Sequence, residues 1–337
     1  MTFLDSSAAP PHPASHANGL VYGPVLRDLD ETEKIFRQTL ASKHPDISRL
    51  VEQLQHYRGK RLRPLLLLLS AKACGEIRHA HHVLGAVVEM IHTATLVHDD
   101  VLDEAGVRRH VATVNAGWGN KTSILLGDYL FTHAFHLTSS LGEAEACRLI
   151  GEATNRVCDG ELRQTLERRN LELGETDYLE MIEGKTAALT ACCCRLGGLY
   201  AGAKTEVVEA LANYGRLLGM AFQVADDLLD VVGSEQKAGK TLGTDLEQQK
   251  LTLPLIYLFD RVPATEAERL RGILQTPGAQ KSFVIKPLLE STHALRDARR
   301  RAEEFARDAV AELAVLPNSP CREILKTLTT WAVSREL

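Results

Sequence analysis

Two acidic clusters hold the side chains best placed to do chemistry: His98-Asp99-Asp100-Val101-Leu102-Asp103-Glu104 and Ala225-Asp226-Asp227-Leu228-Leu229-Asp230. On a helix, the first and last Asp of each cluster are four apart and share a face, while the middle one lies about 100° around. Each cluster therefore offers a fork of carboxylate oxygens. Both follow apolar runs, Ala94 to Val97 and Met220 to Ala225. The carboxylates thus end buried helices, where like charges so close together need a cation. Magnesium suits the demand, because it takes oxygen ligands, keeps waters and shares its coordination between carboxylates and substrate phosphates. One such motif is an ordinary solvated helix face; two, each ending an apolar helix, point to a metal-held anion. The complementary charge is in Gly59-Lys60-Arg61-Leu62-Arg63-Pro64 and in Arg108-Arg109. A helix-start proline after a basic loop combines exposed N–H groups, a positive helix end and guanidinium forks, which together suit a diphosphate.

The elements that must position these groups read as helices. From Pro24 onward apolar residues recur at three and four, as in Val83-Val87-Met90-Ile91 and Leu211-Tyr214-Leu218, without sustained alternation. Breaks fall at His44-Pro45-Asp46, Asn115 to Asn120, Leu173-Gly174, Gly202, Gly233 to Gly243, Pro263, Thr276-Pro277-Gly278 and Leu316 to Pro320. The expectation is an all-α chain of about a dozen helices in one large bundle, with its central members buried all round. Residues 1–20, rich in Pro, Ser and His, read as a flexible tail, and 21–337 as a single domain. Thirty-nine Lys and Arg against forty-four Asp and Glu give a net charge of −5, so nothing attracts nucleic acid globally. The longest charge-free stretch beyond the tail, Tyr129 to Gly142, is too short to span a bilayer. Seven cysteines, three of them consecutive at Cys192 to Cys194, make a poor disulfide framework and read as reduced thiols in a cytoplasmic protein.

Several motifs together carry a resemblance: GKRLRP (59–64), IHTATLVHDDVLDEAGVRR (91–109), GDYLF (127–131), GELRQ (160–164), Lys185-Thr186, FQVADDLLD (222–230), Gly239-Lys240 and KLTLP (250–254). In order and spacing the chain resembles the trans-isoprenyl diphosphate synthases, the polyprenyl synthetase family, most closely the heptaprenyl and octaprenyl type. That resemblance implies a helical bundle around a deep apolar cavity, assembled as a homodimer. It implies that Asp99, Asp100, Asp103, Asp226 and Asp230 bind about three magnesium ions. Arg108, Lys185 and Lys240 would contact the allylic prenyl diphosphate. Lys60, Arg63, His92 and Arg109 would hold isopentenyl diphosphate. Thr186 and Gln223, with Lys185 and Lys240, would form the catalytic centre. The implied reaction is ionisation, condensation and elimination, in which metal and cationic side chains meet the leaving group's growing charge.

Three positions depart from the family, which usually has glycine where this chain has Arg58, His110 and Gln249; each substitution restricts a loop. Product length in the family follows from how far the cavity runs beneath the first acidic motif. Here Ala94 and Thr95 are small, so the floor should lie deeper, with Ile91, Phe131, Phe135 and His136 as its candidates. At about 1.5 Å per residue, a helical turn matches roughly one prenyl unit, and the product should be about seven or eight units long. A geranylgeranyl diphosphate synthase is the main alternative; a terpene cyclase and a non-catalytic partner subunit fit less well, since both acidic motifs are intact.

Other features read as structural. His79-Ala80-His81-His82 should be a solvated helix start, Cys192 to Cys194 core packing, and Trp118 and Trp331 packing residues. Arg299-Arg300-Arg301 should be a helix face paired with Glu303 and Glu304, with transient membrane contact for product release as the alternative.

Overall fold

The computed structural model describes residues 22–57, 59–108, 111–232, 244–276 and 281–334. Its elements begin with α1 (Leu26–Thr39), α2 (Pro45–Gln53), α3 (Leu62–Cys74) and α4 (His79–Leu102). A short antiparallel hairpin follows, β1 (Val107–Arg108) with β2 (Val111–Ala112), in the register Val107 to Ala112 and Arg108 to Val111. Next come α5 (Val114–Trp118), α6 (Asn120–Ser139), α7 (Ala144–Leu166), α8 (Glu175–Ile182), a π-helical turn (Glu183–Ala187), α9 (Ala188–Tyr200) and α10 (Thr205–Val232). The chain closes with α11 (Thr244–Glu247), α12 (Leu253–Phe259), α13 (Ala264–Gln275), α14 (Lys281–Ser291), α15 (Ala294–Glu312) and α16 (Pro320–Val333).

The all-α expectation holds, and the described breaks coincide with the proline and glycine clusters. There are more helices than periodicity suggested, because segments such as α5, α11 and α12 are too short to show a period. Length and composition explain which helices are central. Helix α3 buries Leu65, Leu66, Leu67, Leu68 and Leu69 on every side, as a helix without a polar face must. Helix α4 is likewise buried over most of its length. By contrast, α15 is amphipathic: Ala294, Ala298, Ala302, Phe305 and Ala309 form the buried ridge that lies on α10. One continuous apolar core runs from Val25 to Ala332.

Two readings need correction, of His79-Ala80-His81-His82 and of Trp118. His81 is not solvated: it is fully buried, accepts the Arg78 N–H at Nδ1 (2.8 Å) and reaches the Gly197 carbonyl through Nε2 (3.2 Å). It closes the N-terminus of α4, and burial lowers its pKa. His82 pairs with Asp28 at 2.8 Å. Trp118 is exposed rather than packed. In the arginine run, Arg300 and Arg301 pair with Glu304, and Arg301 also with Glu175. The cysteine run is core: all seven cysteines are free, and burial pushes the Cys192 and Cys194 thiols up to about 12. No described helix is long and apolar enough to cross a membrane.

Candidate active site

The first acidic motif closes α4, and its three aspartates part company as the helical phase requires. Asp100 is fully buried. Its Oδ1 accepts Arg108 Nε and Nη2, both at 2.8 Å, and its Oδ2 accepts the Tyr57 hydroxyl at 2.5 Å. The β1–β2 hairpin exists to deliver Arg108 to this carboxylate, and Asn115 Nδ2 ties the turn to the Asp100 carbonyl. Asp100, expected as a metal ligand, therefore has both oxygens engaged inside the fold. Asp103 accepts Lys250 Nζ at 3.1 Å and Arg168 Nη2 at 3.3 Å.

Opposite Asp99 and Asp103, α7 and the π-helical turn place three more polar groups. Lys185 Nζ donates to Glu161 Oε1 (2.6 Å) and Gln164 Oε1 (2.7 Å). Two glycines make this approach possible. A Cβ at Gly160 would lie 2.3 Å from Lys185 N, and one at Gly184 would lie 2.8 Å from the Arg156 carbonyl. Lys185 and Thr186 both lie within the π turn. Burial, with the Glu161 and Asp103 carboxylates close by and only Lys185 opposing, pushes Asp99 up to about 7. Burial lowers Lys185, but Asp99 and Glu161 outweigh it and hold the ammonium firmly charged.

The second motif lies in the last turns of α10. Its middle residue is again turned inward: Asp227 accepts the Tyr178 hydroxyl at 2.6 Å and Gln223 Nε2 at 2.7 Å. Burial and the Asp245 charge raise Asp227 to about 8, against the lowering effect of those two bonds. The Thr186 hydroxyl donates to Gln223 Oε1 at 2.7 Å. A chain from Thr186 through Gln223 to Asp227 and Tyr178 thus fixes which end of the Gln223 amide faces Thr186. Asp226 is half-buried and Asp230 buried, the latter accepting the Asp245 N–H at 3.1 Å. Residues 244–250 accordingly bridge the motifs, with Asp245 on Asp230 and Lys250 on Asp103. Gln249, in that bridge, has φ +58°, the conformation for which glycine is the usual choice.

The basic segment separates by direction. Arg61 caps α3 at φ +50° and points inward to Glu33 (2.8 Å) and Glu89 (2.5 Å), so it is structural. Arg63 is half-buried; burial lowers its pKa, and its Nε has no partner among the described residues. His92 lies half-buried on α4, one turn after Glu89. Of the proposed floor residues, Ile91 and Ala94 are fully buried, while Thr95 and Phe131 are half-buried, with Phe131 against the His98 ring. Phe135 and His136 are on the exposed side of α6, whose buried ridge is Ser123, Leu126, Gly127, Leu130, Ala134 and Thr138. Because α6 carries large apolar side chains on its exposed side as well, Ile124, Leu125 and Phe135, its sequence could not say which side faces inward. Arg58, Arg109, His110 and Lys240 lie outside the described residues.

Sequence reasoning missed Tyr57, Glu161, Gln164, Arg168, Tyr178 and Lys250. Glu161 and Gln164 share a helix face within GELRQ, and Lys250 opens KLTLP, so those three left a signal. The two tyrosines left none.

The donor set fits magnesium. Glu161, packed against Asp99, leaves Oε2 buried without a hydrogen-bond partner among the described residues, and burial beside Glu161 and Asp103 makes ionised Asp99 costly unless a cation joins it. Among the described residues no three acidic, His or Cys side chains converge to hold a metal ion by themselves; magnesium there would draw the rest of its coordination from substrate phosphates and water.

Comparison with known proteins agrees with this geometry. Residues 44–291 match the family model described as polyprenyl synthetase. The chain is 39% identical over 294 residues to octaprenyl diphosphate synthase of Escherichia coli K12, covering 85% of this chain and 90% of that one. A decaprenyl diphosphate synthase from Rhodobacter capsulatus superposes with a TM-score of 0.88 at 35% identity, covering 94% of this chain and 98% of that one. A polyprenyl synthase from Caulobacter crescentus CB15, solved with calcium and isoprenyl diphosphate, superposes at 0.89 with 34% identity, covering 97% of this chain and 100% of that one. The chain belongs to the polyprenyl synthetase family.

Proposed function

We propose that the protein is a magnesium-dependent prenyltransferase that condenses isopentenyl diphosphate with an allylic diphosphate and yields a medium or long all-trans polyprenyl diphosphate. The observation that carries this reading is the meeting of Asp99 and Asp103 with Lys185, Glu161 and Gln164 across the cleft, with the second acidic motif bridged to it by residues 244–250. Asp99, Asp103, Asp226 and Asp230 would hold the magnesium, about three ions when substrate is bound. When bound, the metal supplies Lewis-acid stabilisation of the departing diphosphate.

The chain's own residues supply the rest. Lys185 contributes a positive charge aimed by Glu161 and Gln164, and Arg108 a guanidinium held in place by Asp100; both meet the allylic diphosphate as its charge grows. Lys240 is assigned the same role by its motif. Lys60, Arg63, His92 and Arg109 hold isopentenyl diphosphate, with the unpartnered Arg63 Nε as a ready donor. The oriented carbonyl of Gln223 and the Thr186 hydroxyl face the allylic carbon and keep it from water. Asp100 is a positioning group rather than a ligand.

A homodimer is supported by the side chains that α6 leaves exposed, Ile124, Leu125 and Phe135, and a cytoplasmic location by seven free thiols. Small residues at Ala94 and Thr95 support a product at or beyond the notional seven or eight units; the relatives described above make eight and ten. The test is incubation with magnesium, labelled isopentenyl diphosphate and geranyl, farnesyl or geranylgeranyl diphosphate, followed by separation of the dephosphorylated products. A ladder ending near eight units is expected. A stop at geranylgeranyl would move the floor up to the turn above, and cyclic hydrocarbon without isopentenyl diphosphate would refute the condensation.

A further inference from the structure

Both ends of the described chain converge on Lys60, and we propose that Trp331 is a positioning residue that presents the Lys60 ammonium to the diphosphate of isopentenyl diphosphate. This rests on the assignment of Lys60 to that substrate. The Tyr22 hydroxyl donates to the Lys60 carbonyl at 2.9 Å. The next residue, Arg61, is fixed by its left-handed backbone and by Glu33 and Glu89. The Lys60 backbone is therefore pinned on both sides, and the freedom left to it is in the four-carbon stem. Trp331, near the end of α16, limits that freedom: Lys60 Nζ sits 3.8 Å from the centre of its ring. Tyr22 and Trp331 both lie outside the matched residues 44–291, so neither belongs to the motif it steadies.

The chemistry of the contact matters. An indole face attracts the ammonium through its quadrupole without using up its N–H hydrogen bonds, so it can steady the stem while the N–H groups bond phosphate oxygens. A flexible lysine held in one place loses less entropy on binding. The effect is confined to one substrate, because the allylic diphosphate is served by Lys185 and Arg108 elsewhere in the cleft.

The experiment compares Trp331→Leu, Trp331→Phe and Lys60→Ala with the unaltered enzyme, with melting temperatures taken alongside. Trp331→Leu should raise KM for isopentenyl diphosphate about two- to fivefold and leave the allylic KM and the saturated kcat unchanged. Trp331→Phe should restore most of the loss, and Trp331→Leu should add nothing once Lys60 is Ala. An unchanged or lowered KM in Trp331→Leu, or equal rises for both substrates, would overturn the proposal. Lys60→Ala with an unaltered isopentenyl diphosphate KM would instead overturn the assignment of Lys60, and the proposal with it. A second readout keeps Trp331 in place: with Trp118→Phe, Trp331 is the sole tryptophan. Its emission should then respond to isopentenyl diphosphate and stop responding when Lys60 is also Ala; a response that persists without Lys60 refutes the contact.

Discussion

Replacing Gly160 with alanine adds one methyl group at the point where α7 touches the π-helical turn. The new Cβ would lie 2.3 Å from Lys185 N and 3.0 Å from both Gly184 C and Lys185 Cα. All three are backbone atoms, so no rotamer relieves the clash, and the two segments must part by about 1 Å to reach ordinary contact distance. Overpacking of this kind costs about 1–3 kcal/mol, against a gain of about 0.5–1 kcal/mol from replacing a helical glycine. The net expectation is a loss of about 1–2 kcal/mol, read as a lower melting temperature. The same displacement carries Lys185 away from Glu161, Gln164 and Asp99, and misplacement by about 1 Å at a reacting centre costs about 100-fold in rate. Gly151 supplies the internal control: it is on the same helix, a Cβ there meets nothing within 4 Å, and Gly151→Ala should stabilise by up to about 1 kcal/mol with kcat unchanged. Melting curves and steady-state kinetics of the two variants decide the matter. A Gly160→Ala enzyme that melts and turns over like the parent would refute the close-approach argument.

Three further outcomes are expected. Ala94→Phe should shorten the product by at least one unit, as read by chain-length separation; an unaltered distribution would mean that the cavity does not pass Ala94. Gln249→Gly should raise stability by up to about 1 kcal/mol, since relief of the +58° backbone, about 1–2 kcal/mol, outweighs glycine's added unfolded-state freedom; a lower melting temperature counts against strain there. Magnesium should stabilise the protein more at pH 8 than at pH 6, because Asp99, pushed up to about 7, must ionise to bind it. Without metal the sign reverses: the folded form holds this proton more tightly than the unfolded chain, so the contribution is full below the unfolded carboxylate range and lost as pH rises through 7. Equal magnesium-induced shifts at both pH values would contradict the Asp99 assignment.

How much of this was legible depends on whether periodicity or a third dimension carries the information. The helical class, the breaks and the acidic forks follow from spacing along the chain, so they could be read there. The side of α6 that faces inward could not, because apolar side chains stand on both sides of it, Leu126, Leu130 and Ala134 inward and Ile124, Leu125 and Phe135 outward. His81 looked solvated because its helix start is rich in polar residues; its burial comes from Gly197, 116 positions away. The tyrosines that complete the site lie 43 and 49 residues from the aspartates they bond, at separations no local pattern records.

Those tyrosines resolve a difficulty that the acidic motifs pose. Three carboxylates within five residues at a buried helix end repel one another, and a metal can neutralise only those that face it. Helical phase turns the middle Asp about 100° from its partners, into the core, where it must be satisfied by the protein. In the first motif Tyr57 takes one oxygen and Arg108 the other, so the charge is cancelled by a cation. In the second, Tyr178 takes one oxygen and the Gln223 amide the other, and burial with the Asp245 charge raises Asp227 to about 8, so no cation is needed to satisfy it. The two solutions differ in what they hold in place: the first fixes the Arg108 guanidinium, and the second fixes the Gln223 amide and, through it, the Thr186 hydroxyl. On the proposed reading, the repeated motif would thus hold a charged donor for the leaving group and uncharged dipoles for the allylic carbon, a division that suits ionisation followed by condensation.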